Sequence, residues 1–185
     1  RRVATPAVPA RPIMESGLLV DAVRSRLTAR AQALGWQATH APDTHLVVDG
    51  QRIDAVTQGN TVSFTFPASA QAIRLVSRTF KPKECGNSAD LRDLGLPVMS
   101  MHICDTAQHT ATFTVEDACL KTQFHPEEAA NNAPWRWTTG DTPLPSALWE
   151  QCAGQVALTI TLTDMGSVYW NSPQQAQNIQ AAQAG

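Results

Sequence analysis

The chain has 185 residues, of which 43% are apolar and only 16% charged, with a formal net charge of -2. That length supports a domain able to bury roughly two-thirds of its unfolded surface without a staple or a metal. The mild acidity lacks the strongly basic footprint of a nucleic-acid binder, and no apolar run approaches the roughly 20 residues that span a bilayer.

The opening RRVATPAVPARP places Pro6, Pro9 and Pro12 among small residues. Residues 1–14 therefore read as an extended linker or arm. Leu19, Val23, Leu27, Ala31 and Leu34 then recur at helical spacing, with Arg24, Arg26 and Arg30 mostly off that stripe. Ser16 suits the start and Gly35 the end, which predicts one amphipathic helix near residues 16–35.

After Pro42 the period changes to two. Segments 44–49, 51–56, 61–66, 72–80, 98–104, 110–115, 118–124, 155–163 and 166–170 alternate or are rich in Val, Ile, Thr, Phe and Trp, as strands are. Asp49-Gly50 is a strong hairpin signal, and Gln58-Gly59-Asn60 is a second. Short strands without helical crossovers predict a mainly β fold, an antiparallel β-sandwich of jelly-roll-like form led by the helix. The sandwich with its helix would occupy residues 15–170 as one domain. Two long loops are expected at 81–97 and 125–154, and residues 171–185 form a polar, low-complexity tail.

The most unusual local sequence runs from Phe124-His125-Pro126-Glu127-Glu128 to Pro134-Trp135-Arg136-Trp137-Thr138-Thr139-Gly140-Asp141. Trp135 and Trp137 lie two apart, so in an extended segment both indoles share a face and Arg136 takes the other. An exposed indole stacks on a sugar ring while Arg136, Asp141 and Glu127 bond its hydroxyls, so these five residues are the candidate glycan site. The alternative is that the indoles plug the sandwich and Arg136 pairs with a carboxylate.

Catalysis has little sequence support. Paired carboxylates from Glu127 or Glu128 with Asp141 would need a definite separation across a cleft, and no GxSxG elbow accompanies any serine. His102, Cys104, His109, Cys119 and His125 lack the close pairs of a zinc site, and Asp-rich calcium loops and phosphate-cradling Gly loops are missing. No metal and no cofactor are expected. Cys85, Cys104, Cys119 and Cys152 are an even set that permits three pairings of two disulfides, or four free thiols. Cys104 with Cys119 is the pairing favoured here, on the expectation that their strands are neighbours.

Four ordered motifs, GLLVDAVRSRLTARAQALGW, AIRLVSRTFKP, LRDLGLPVMSMHI and FHPEE with WRWTTGDTPLP, resemble the segment that follows the Hint (Hedgehog/intein-type) domain in alphaproteobacterial secreted or surface proteins. The resemblance spans about residues 11–170. It implies a non-catalytic secreted or cell-surface module facing glycans, with any export signal and any autoprocessing machinery upstream of Arg1. The Cys85-Gly86-Asn87 loop departs from the pattern. Self-assembly through the N-terminal arm or the edge strands is the competing expectation, and a polysaccharide-acting enzyme is the third.

Overall fold

The structure is a computed structural model that describes residues 17–85, 88–131, 133–163 and 166–177. The chain divides into two compact units, one comprising Arg1–Gln37 with Ser172–Gly185 and the other Ala38–Asn171. The proline-rich arm and Ser16 lie outside the described residues.

The first unit holds α1 (Leu18–Ala33) and a helical turn at 173–177. Helix α1 ends where the sequence expects: Gly35 takes φ +87° and its N–H returns to the Gln32 carbonyl. None of its residues is buried, and Leu19, Val23 and Leu27 are 61%, 48% and 65% exposed. Arg30 falls eleven residues, about three turns, after Leu19, so a cation sits on the apolar side of the helix.

The second unit is the sandwich. Its elements in chain order are β1 (Gln37–Thr39), β2 (His45–Val48), β3 (Gln51–Asp54), β4 (Val56–Gln58), β5 (Thr61–Pro67), β6 (Ile73–Val76), α2 (Pro82–Cys85), β7 (Pro97–Asp105) and β8 (Thr110–Thr114). There follow α3 (Ala118–Lys121), β9 (Glu128–Ala130), β10 (Ala133–Trp137), β11 (Asp141–Leu144), a 3-10 turn (Ser146–Leu148), β12 (Gln155–Leu162) and β13 (Tyr169–Asn171). One sheet runs β4-β5-β12-β7-β10-β9, with β8 also paired to β7, and the other runs β11-β6-β2-β3. Strands β1 and β13 form a small pair of their own.

Alternation builds the interior. Val62, Phe64 and Phe66 of β5, Leu158 and Ile160 of β12, and Met101 and Ile103 of β7 meet Leu46 and Val48 of β2 and Ile73 and Leu75 of β6 in one core. Each such side chain contributes about 1.5–3 kcal/mol by leaving water. The β2–β3 hairpin turns at Asp49 (φ +48°) and Gly50 (φ +86°), the doubly left-handed geometry that matches the twist of paired strands. Gly59 (φ +58°) turns β4 into β5.

Several expectations need correction. The expected strand at 51–56 divides at Ala55, sending β3 to the smaller sheet and β4 to the larger. Residues 118–124 are not a strand: α3 starts there and Leu120 plugs the core, so side-chain composition was outweighed by the need to bury one leucine from a turn. The supposed loop at 125–154 contains three strands, and β10 is paired on both sides, to β7 and β9. Of residues 72–80 only β6 is a strand, with Phe80 making an isolated bridge to Leu94.

Candidate functional site

Strand β10 carries the candidate site, and its placement fixes what those residues can do. Trp135 and Trp137 share a side, as their spacing requires, but they face inward and are only 6% and 2% exposed. With Leu94 they form a second small core, flanked by Phe80 and Met99. Phe80 meets Trp137 edge to face at 5.5 Å and Tyr169 at 5.9 Å. The expectation of exposed indoles as a sugar platform is therefore corrected: β10 lies between two neighbours in the sheet, and its aromatic side is covered.

Arg136 points the other way and is also buried. Its Nε donates to the Val115 carbonyl at 2.6 Å, Nη1 to the His125 carbonyl at 3.1 Å, and Nη2 to Glu127 at 3.4 Å. This guanidinium ties β10 to the chain at 115–127, and its donors are taken up by protein acceptors. Asp141 stands on β11 in the smaller sheet and is paired with Arg74 of β6. Arg136 and Glu127 are thus brought together, Trp135 lies on the opposite side of β10 in the small core, and Asp141 is engaged elsewhere.

Glu128, one of the paired carboxylates considered from sequence, is held by Arg92. Arg92 Nη2 donates to Glu128 at 2.6 Å and to Asp90 at 2.6 Å, and its Nε also reaches the Asp90 carboxylate at 3.0 Å. The other oxygen of Glu128 accepts from the Trp137 indole N–H at 3.3 Å. Bonding to Arg92 holds the Asp90 carboxyl down to about 2, and Asp90 first, then Glu128, pushes the Arg92 guanidinium higher still. A small concavity of about 270 Å³ opens here, walled by Phe80, Trp137 and Leu94 and edged by Asp90, Ser88 and Glu128.

Three of the motifs quoted above, AIRLVSRTFKP, LRDLGLPVMSMHI and FHPEE with WRWTTGDTPLP, meet around this point. Gly95 N–H bonds the Thr138 carbonyl, Thr138 N–H the Leu96 carbonyl, and Leu96 N–H the Thr138 hydroxyl. His125 Nε2 donates to the Asp93 carbonyl at 3.0 Å, and the Tyr169 hydroxyl donates to the Gly95 carbonyl. Arg78 Nη1 donates to the Ala41 carbonyl at 2.6 Å.

A larger cleft of about 700 Å³ lies beside β3 and β4, where Arg52 is held between Asp43 at 2.8 Å and Asp54 at 2.6 Å. Trp149, which no sequence argument singled out, packs edge to face on Phe66 and donates to the Ala70 carbonyl, so it belongs to the main core.

The cysteines are unpaired. Cys119 sits on α3 and not on a strand, so the favoured bridge to Cys104 on β7 loses its cross-strand geometry; Cys85 and Cys152 are free as well. Burial raises the thiols of Cys85, Cys119 and Cys152, which lowers their thiolate content and their reactivity. Among the described residues no three His, Cys, Asp or Glu side chains gather to hold a metal ion, and no helix is long and apolar enough to cross a membrane. No family model, curated protein or solved structure matches this chain.

Proposed function

We propose that this chain is a non-catalytic docking module that self-associates through α1. The observation that carries this reading is the exposure of that helix: 16 residues without one buried side chain, and with leucines and a valine in successive i, i+4 positions. Most helical stability comes from packing of an apolar face, and this face is exposed. Ridges of i±4 spacing pack against a copy of themselves, and an isologous contact closes a dimer without further growth. Sedimentation velocity over a wide concentration range tests the idea. The parent chain is expected to dimerise and a Leu19→Gln/Leu27→Gln double variant to remain monomeric with an unchanged circular dichroism spectrum. A parent that stays monomeric at the highest concentration would end the assembly reading.

Glycan recognition is the second reading, favoured by the aromatic-walled, acid-edged concavity at Phe80, Trp137, Asp90 and Glu128. A secreted or cell-surface location and the kinship with Hint-associated segments belong to the same proposal. They are supported by the low share of ionisable residues and by the meeting of three of the quoted motifs in one cluster.

A further inference from the structure

The outer face of the larger sheet is a regular surface that the reading so far leaves unused. Because Val62, Phe64, Leu158, Ile160, Met101 and Ile103 point into the core, the residues between them point out. Strand register aligns them in rows. Ser63, Thr159, His102 and Thr112 stand side by side across β5, β12, β7 and β8. The next row is Thr61, Thr161, Ser100 and Thr114. All eight are exposed or half-exposed, seven carry a hydroxyl and none is a carboxylate, lysine or arginine.

We infer that this face holds a neutral polysaccharide chain laid along its hydroxyl rows. The inference rests on the glycan reading and assigns it a surface other than the acidic concavity. Each hydroxyl both donates and accepts, which matches the alternating needs of sugar hydroxyls. Two pairs of neighbours already fix each other's orientation, Ser63 with Thr159 at 3.2 Å and His102 with Thr112 at 3.0 Å. A row across four strands covers about 14 Å, the scale of a short oligosaccharide. An anionic polymer would find no counter-charge in the rows. A protein partner would find none of the aromatic or arginine anchors that dominate protein interfaces. The twist of a sheet this wide prevents registry with a flat crystalline surface, so the occupant is a single flexible chain.

Affinity electrophoresis in gels containing mixed-linkage β-glucan or galactomannan, with alginate as the anionic control, tests the assignment. The parent is expected to be retarded in a neutral gel and not by alginate. A Thr112→Val/Thr159→Val variant keeps strand propensity and should bind about tenfold more weakly through loss of two hydroxyl contacts. Thr112→Ser/Thr159→Ser should bind as the parent does. Equal retardation of parent and valine variant overturns the face while leaving glycan binding in place. Loss of binding in Glu128→Ala alone, with its unfolding transition intact, moves the site to the concavity. A parent that no neutral gel retards overturns the face and the glycan reading together.

Discussion

Gly95 occupies a position that admits no side chain. A methyl group there would strike the Thr138 hydroxyl and come within 2.9 Å of the Gly140 nitrogen and of the Ser77 hydroxyl. Its role is thus close approach between the chain before β7 and the chain after β10. Gly95→Ala is expected to cost about 1–3 kcal/mol by overpacking, read as a lower denaturant midpoint; an unchanged midpoint would show that the crossing can relax. Asp90 makes a second residue-level prediction. Its folded carboxyl, held by Arg92 at about 2, lies below the unfolded value near 4. Stability from this pair is therefore full above about pH 4 and lost as pH falls towards 2. Asp105 adds in the same direction, since N–H groups of Ala153, His109 and Ala107 lower its carboxyl. Urea titrations from pH 5 to about 2 should show the parent losing more stability than Asp90→Asn across that window. Parallel curves would remove Asp90 from the account.

Among the elements, the contrast between β12 and α1 is the most informative. Leu158 of β12 is fully enclosed, so Leu158→Ala should destabilise the sandwich by about 2–5 kcal/mol. Leu27 of α1 buries little within one chain, and Leu27→Gln, compared with the parent at a concentration where both are monomeric, should leave the same unfolding transition within about 0.5 kcal/mol. Differential scanning calorimetry checks both, and a large shift from Leu27→Gln would mean that the helix face is covered after all. The elements were unequally legible. Hairpin β2–β3 is written in Asp49-Gly50, whose positive φ angles few other pairs adopt cheaply. Helix α3 is not written that way: Ala118–Lys121 has strand-like neighbours, and only the need to place Leu120 in the core explains the turn.

For the molecule as a whole, period and turn chemistry in the sequence determined a mainly β, antiparallel architecture with a leading helix, because side-chain alternation and left-handed turns are local properties of the backbone. Local pattern also determined that Trp135 and Trp137 share one side and Arg136 takes the other. It could not say which side would be covered. Only the pairing of β10 with both β7 and β9 decided that the indoles are interior and that Arg136 is a brace. Likewise the partnership of Arg92 with Asp90 and Glu128, and the alignment of hydroxyls from four strands, join residues far apart in the chain. Such groupings arise from register and from the closing of sheet over sheet, which local pattern constrains but does not specify.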